Sequence, residues 1–249
     1  MATTLLLLPG LLCDRRLWRD QLSVLAETRP CIVADLTRDD RVASMAARAI
    51  AELPPGPFAV AGLSMGGYVA LEVMRQAGPR VARLALLDTS ARADTEEQTR
   101  RRKALLALSE SGRFRGVTPR LLPQLLAPAN LGGKLGEEVM AMADRVGRDA
   151  FHRQQRAIMH RPDSRPDLAL FNVPTLVLVG AEDALTPPVL AHEMAALIPG
   201  ARLAEIPGAG HLPPMETPAR VTQLLGEWLS GKPTDAAGRQ PGYANPPSH

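Results

Sequence analysis

Gly62-Leu63-Ser64-Met65-Gly66-Gly67 restricts the fold of this chain more than any other stretch. It fits the pattern G-x-S-x-G. Before it, Pro57-Phe58-Ala59-Val60-Ala61 is a short apolar run bounded by Pro and Gly, the pattern of a buried strand. After it, residues 68–74 carry a helical pattern. Ser64 is therefore expected on a sharp turn from strand into helix. Gly62 and Gly66 omit the side chains that would collide there. The helix N-terminus aims free amides and the positive end of its dipole at the same point. By itself the pentapeptide also suits a turn that only lets a strand and a helix pack closely. An acid and a histidine in the right places are needed to make it a site for chemistry.

The rest of the chain alternates in the same way. Residues 4–8, 31–34, 81–87, 175–179 and 202–206 read as strands. Residues 14–25, 42–53, 188–198 and 218–229 read as helices between or after them. Near-continuous apolar strands alternating with helices predict an α/β fold, a doubly wound, mostly parallel sheet covered on both faces. From about 92 to 167 the rhythm breaks into helical segments punctuated by Pro119, Pro123, Pro128 and Gly132-Gly133, which predicts an inserted helical lid. The expected organisation is a core domain over 1–91 and 168–230, the lid over 92–167, and a disordered tail over 231–249, rich in Pro, Gly, Asn and Ser. The run Arg100-Arg101-Arg102-Lys103, with Glu96 and Glu97 four residues upstream of the first two, reads as a solvated helix face.

Composition removes several classes of function. A net charge of +3, from 29 basic and 26 acidic residues, is too small an excess to argue for nucleic acid or an anionic membrane. No stretch approaches the ~18–20 apolar residues that span a bilayer. Cys13 and Cys31 form neither a metal-ligand nor a redox spacing, and a reduced cytoplasmic setting is expected. Leu5 to Leu8 ahead of Cys13 resembles a lipoprotein signal only superficially, because no positive charge precedes the run and Leu12 stands before the cysteine. There is no H-E-x-x-H and no phosphate-binding loop, so neither a metal nor a cofactor is expected.

Two loops supply partners for Ser64. Asp183 follows the strand ending at Gly180, and His211 follows the next strand in Gly208-Ala209-Gly210-His211. All three lie at carboxyl ends of strands, where open α/β sheets bind ligands. A serine hydroxyl is a weak nucleophile; a neutral imidazole must take its proton, and a carboxylate must hold the ring in the right tautomer. Glu182 and Asp88 are rival acids at this stage, Asp88 because it also ends a strand. An oxyanion hole would take one donor from the Met65 amide and a second from the loop Pro9-Gly10-Leu11-Leu12, with Leu11 the candidate.

The motifs Gly62-Leu63-Ser64-Met65-Gly66-Gly67, Gly180 with Asp183, and Gly208-Ala209-Gly210-His211 with Pro213 together resemble an α/β-hydrolase-fold serine hydrolase over about 3–230. The order Ser, acid, His is the order of that family. Residues 161–165 and 174–180 further resemble its 3-oxoadipate enol-lactonase-like branch. Two departures stand out: Pro9-Gly10 replaces the His-Gly common after the family's first core strand, and the family's N-terminal hairpin is expected to be missing.

The resemblance implies hydrolysis of a small carboxylic ester or lactone through an acyl-serine. It leaves open an acyltransferase or perhydrolase working with the same residues, and a non-catalytic binding module on the same fold. The enol-lactonase resemblance also suggests that one of His160, Arg161 and Arg165, near where the chain re-enters the sheet, pairs with a substrate carboxylate; the alternative is an arginine that only lies on the surface. The only expected partner is the small-molecule substrate. A lid rich in Leu and Met predicts an apolar, adaptable pocket.

Overall fold

In the computed structural model, which describes residues 2–231, six parallel strands form one sheet in the order β2-β1-β3-β4-β5-β6. In chain order the strands are β1 (Thr4–Leu8), β2 (Cys31–Val33), β3 (Phe58–Leu63), β4 (Val81–Leu87), β5 (Thr175–Gly180) and β6 (Arg202–Ile206). The helices are α1 (Arg19–Leu25), α2 (Val42–Ala51), α3 (Met65–Ala77), α4 (Glu96–Leu108), α5 (Leu122–Leu125), α6 (Lys134–Met159), α7 (Arg165–Leu168), α8 (Pro188–Leu197), α9 (Pro213–Glu216) and α10 (Pro218–Ser230). Between β4 and β5 the chain is helix and loop only, with α4 to α7 lying there. Except for Gly231, the tail expected beyond 230 lies outside the described residues.

Side-chain alternation along the strands sorts the core into two layers. On one face Leu6, Leu8, Val60, Leu84, Leu86 and Val177 pack with residues of α2, α3 and α8, including Met45, Val69 and Met194. On the other face Leu5, Leu7, Ala59, Ala61 and Leu178 pack with α1 and α10. The strands of this second face carry several alanines, and Trp18 and Trp228 fill the space they leave, both almost fully buried. A chain with only 3% aromatics thus buries both tryptophans in the layer that holds these alanines.

Two elements differ in detail from the sequence pattern. The first turn of the helix expected from residue 14 tightens into a 3-10 turn, Arg15–Trp18, because the Asp14 side chain accepts the Arg16 amide at 2.8 Å. The long α6 is two helices meeting at Gly147, whose φ of 78° and ψ of 176° interrupt the helix.

Parallel pairing puts every strand's carboxyl end on the same side. β2 lies on one side of β1 and β3 on the other, so the strand order reverses at β1. The loops after β1 and β3 flank the crevice created by that reversal, the place where such sheets hold ligands.

Candidate active site

Ser64 is the single residue between β3 and α3. Its φ of 54° and ψ of −116° are unusual for a residue with a side chain. The glycines explain how the turn closes. A Cβ on Gly62 would stand 2.2 Å from the Gly66 carbonyl oxygen, and one on Gly66 would stand 2.1 Å from that of Leu8. Two hydrogen bonds hold the strained residue: the Ser64 amide donates to Leu87 O at 2.9 Å, and the Thr89 hydroxyl donates to Ser64 O at 2.7 Å. Left-handed backbone at such residues costs on the order of 1–3 kcal/mol and persists where surroundings enforce it. Leu12 (φ 58°) and Asp88 (φ 43°) are the other non-glycine residues with positive φ among the described residues. They follow β1 and β4, so all the strain of this kind collects at neighbouring strand ends around one crevice.

The expected partners converge there. His211 Nε2 lies 2.9 Å from Ser64 Oγ, and His211 Nδ1 lies 2.8 Å from Asp183 Oδ2. With the ring proton on Nδ1, His211 donates to Asp183 and accepts the Ser64 hydroxyl. Both His211 and Asp183 are buried. Asp183 is held in its own turn: the amides of Leu185 and Thr186 donate to Oδ1, and the Thr186 hydroxyl donates to Oδ2 at 2.6 Å. Burial alone would raise this carboxyl, but the charge and hydrogen bond of His211 and the bonds from Thr186 hold it below its ordinary value.

The histidine loop is tied to the lid by Glu216. Its Oε1 accepts the amides of Gly210 and Leu212, on either side of His211, at 2.9 and 3.0 Å. Its Oε2 accepts the Ala127 amide at 2.7 Å and the Asn130 side chain at 2.9 Å. The His211 amide itself donates to Leu125 O at 3.0 Å. Residues 125–130 therefore form part of the mount of His211.

In the loop after β1, the Leu12 amide is taken by the buried Gln154, which also donates to Leu36 O. The Leu11 and Met65 amides have no acceptor among the described residues. Leu11 and Ser64 both line a cavity of about 510 Å³. The cavity wall holds five arginines (Arg92, Arg101, Arg102, Arg115 and Arg161) and no aspartate or glutamate. Arg102 and Arg161 share one carboxylate, that of Asp94, and Arg92 pairs with Glu193. Arg161 also stacks on Tyr68, 4.2 Å from the ring centroid.

Several expectations change at this point. Arg161 is buried in the cavity wall, whereas His160 is outside the lining, its Nδ1 paired with the Arg156 carbonyl. The basic run in α4 is not wholly a solvated face, since Arg102 is half-buried in the cavity wall; Arg101 borders the cavity but stays exposed, as does Arg100, which pairs weakly with Glu96. Glu182 is exposed and takes no part in these bonds. Asp88 is fully buried beside Asp183, but it is Asp183 that bonds His211. Asp88, Asp183 and His211 bring potential ligand atoms within 4.8 Å of one another. Both ring nitrogens of His211 are already engaged by Asp183 and Ser64, so the set reads as a hydrogen-bonded acid–base group rather than a metal centre.

Sequence reasoning missed Gln154, Glu216, Thr89 and Asp94. Thr186 had a signal, since an Asp followed three residues later by Thr is a turn in which the side chain binds nearby amides.

The family model described as "Alpha/beta hydrolase family" matches residues 5–224. A pimeloyl-[acyl-carrier protein] methyl ester esterase of Neisseria meningitidis is 28% identical over 200 residues, 78% of this chain but only 64% of the relative. A malate-bound thermophilic esterase from Thermogutta terrifontis superposes with a TM-score of 0.84 at 31% identity, covering 93% of this chain and 90% of the other. The enol-lactonase from Burkholderia xenovorans LB400 superposes with a TM-score of 0.83 at 20% identity over 92% of each chain, a likeness of fold.

Proposed function

Because the chain belongs to the alpha/beta hydrolase family, we propose that it is a serine hydrolase that cleaves a small carboxylic ester or lactone through an acyl-Ser64 intermediate. The observation that carries this reading is the unbroken line from Ser64 Oγ through His211 to Asp183, at 2.9 and 2.8 Å, on the wall of the cavity. His211 Nε2 takes the hydroxyl proton as Oγ attacks the ester carbonyl carbon. Asp183 keeps the proton on Nδ1 and stabilises the imidazolium. The tetrahedral oxyanion is received by the Met65 and Leu11 amides, which have no acceptor among the described residues. His211 then returns its proton to the leaving alkoxide. A water molecule, deprotonated by the same nitrogen, releases the acid. Removing one oxyanion donor in such sites costs about 10²–10³-fold in kcat.

The substrate we propose carries an anionic group. Five guanidinium groups against no lining carboxylate make a wall that favours negative charge, and two of them divide a single aspartate. Leu105, Leu108, Leu121, Leu125, Met142 and Phe151 make the remaining surface apolar. A cavity of about 510 Å³ suits short or medium acyl groups.

The test is a panel of p-nitrophenyl esters of increasing chain length, each paired with a carboxylate-ended analogue. The anionic member should be preferred by about tenfold in kcat/KM, equivalent to about 1.4 kcal/mol. Arg101→Ala and Arg102→Ala should remove the preference through KM. A rate that rises steadily to palmitate, or no preference for the anion, contradicts the substrate assignment. Product analysis with added alcohol or peroxide distinguishes water from another acyl acceptor, and absence of both turnover and probe labelling at Ser64 would mark a binding module.

A further inference from the structure

Asp88 is a buried carboxyl group for which the reaction above has no use. It has no measurable exposure, and its backbone is left-handed. Its amide donates to Leu178 O at 2.9 Å, and its Oδ1 accepts the Gly180 amide at 2.8 Å. Its Oδ2 has no hydrogen-bond partner, and no arginine or lysine pairs with it among the described residues. Yet one of its oxygens lies within 4.8 Å of the Asp183 carboxylate and of a His211 ring nitrogen.

Two carboxylates so close in a dry pocket do not both keep a negative charge. The partners decide which one does. Asp183 faces Leu185 N, Thr186 N, Thr186 Oγ1 and the His211 ring, while Asp88 receives only Gly180 N. The charged and titratable groups facing Asp88 are Asp183 after β5, His211 after β6 and Glu216 on α9. Burial first, and then the charge of Asp183, push the Asp88 carboxyl well above the usual range, with the Gly180 amide opposing them.

We propose that Asp88 is a neutral carboxylic acid whose Oδ2 proton is shared with the Asp183 carboxylate, which makes it a positioning residue for the acid of the Ser64–His211 pair. The proposal rests on the reading of Ser64, His211 and Asp183 given above. A neutral donor at this place steadies Asp183 without adding a second negative charge beside the imidazole. It also gives the orphan Oδ2 a role and accounts for a strained, non-glycine residue at the end of β4.

Asparagine reproduces what the protonated acid offers: an oxygen for the Gly180 amide, an N–H for Asp183, and tolerance of left-handed backbone. Leucine has a similar outline but neither the donor for Asp183 nor the acceptor for the Gly180 amide, and it tolerates left-handed backbone less well. Asp88→Asn should therefore exceed Asp88→Leu in kcat by about 10- to 100-fold at equal KM, the factor expected for a hydrogen bond to a charged group. Asp88→Asn falling by as much as Asp183→Asn would overturn the proposal, because the ionised Asp88 would then be the working acid. Equal rates for Asp88→Asn and Asp88→Leu would overturn it too.

If Asp88→Leu does not fold, stability against pH decides. A carboxyl raised in the folded state contributes its full stability below the unfolded value, about 3.9, and loses it as pH climbs toward the folded value. Asp88→Asn lacks that loss, so its melting temperature relative to the parent should rise steadily from pH 4 to pH 8. A constant difference would show that Asp88 ionises normally and would refute the proposal. This measurement needs no turnover. Failure of the catalytic reading itself would show instead as undiminished hydrolysis by Ser64→Ala.

Discussion

In the proposed reaction Asp183 carries two kinds of weight, chemical and thermodynamic. Asp183→Asn should cost orders of magnitude in kcat, because the amide favours the wrong tautomer of His211. If Asp88→Asn or Glu182→Gln proved the worse lesion, the assignment of the acid would be wrong. The carboxyl of Asp183 is depressed in the folded state, so its contribution to stability is present above about pH 3.9 and disappears as pH falls toward the folded value. Asp183→Asn should accordingly flatten the acid side of the melting curve, and an unchanged acid limb would contradict that. Hydrolysis should also decline on acidification, since a protonated His211 cannot accept the serine proton. A profile flat across the acid range would remove His211 as the base. At this scale the sequence was readable wherever chemistry is local. Ser64 declares itself through its flanking glycines, and Asp183 and His211 through loops that directly follow strands. Gln154 and Asp94 do not, because each acts on a partner far away in the chain: Gln154 meets Leu12 across 142 positions and Asp94 meets Arg161 across 67.

At the scale of elements, the histidine loop and part of the lid behave as one piece. Glu216 collects four N–H donors, two from the His211 loop and two from residues 127 and 130. Glu216→Gln turns one of its acceptor oxygens into a donor that faces N–H groups. It should destabilise the fold by about 1–3 kcal/mol. It should also lower kcat more than KM, because the ring it positions acts only in the chemical step. A loss of stability with kcat intact would make Glu216 a structural strap only. The elements themselves follow from pattern: β1, β3 and β5 are buried at every residue and read as continuous apolar runs. The lid was harder to read. Its prolines announced breaks, but α4 is polar nearly all round, and only the fold shows that Arg102 is half-buried against the cavity while Arg100 and Lys103 stay exposed.

Across the whole molecule, strands that carry several alanines on one face and the two buried tryptophans packed against that face form the layer behind the sheet. Trp228 is anchored by its Nε1 donating to Pro174 O at 3.1 Å, just before β5. Trp228→Ala should cost about 3–5 kcal/mol in denaturant unfolding. Well below its melting temperature it should leave labelling of Ser64 intact; loss of labelling in a folded variant would contradict the separation of scaffold from site. Among the described residues no helix is long and apolar enough to cross a membrane. The most direct test of the account is mass spectrometry of the intact protein after reaction with a fluorophosphonate, run beside ester hydrolysis for the parent, Ser64→Ala, His211→Ala and the double variant. One adduct is expected on Ser64 in the parent and none in Ser64→Ala. Slow labelling is expected in His211→Ala, and hydrolysis in the double variant no lower than in the worse single one, because the members act as a unit. An adduct or undiminished hydrolysis in Ser64→Ala would contradict the account.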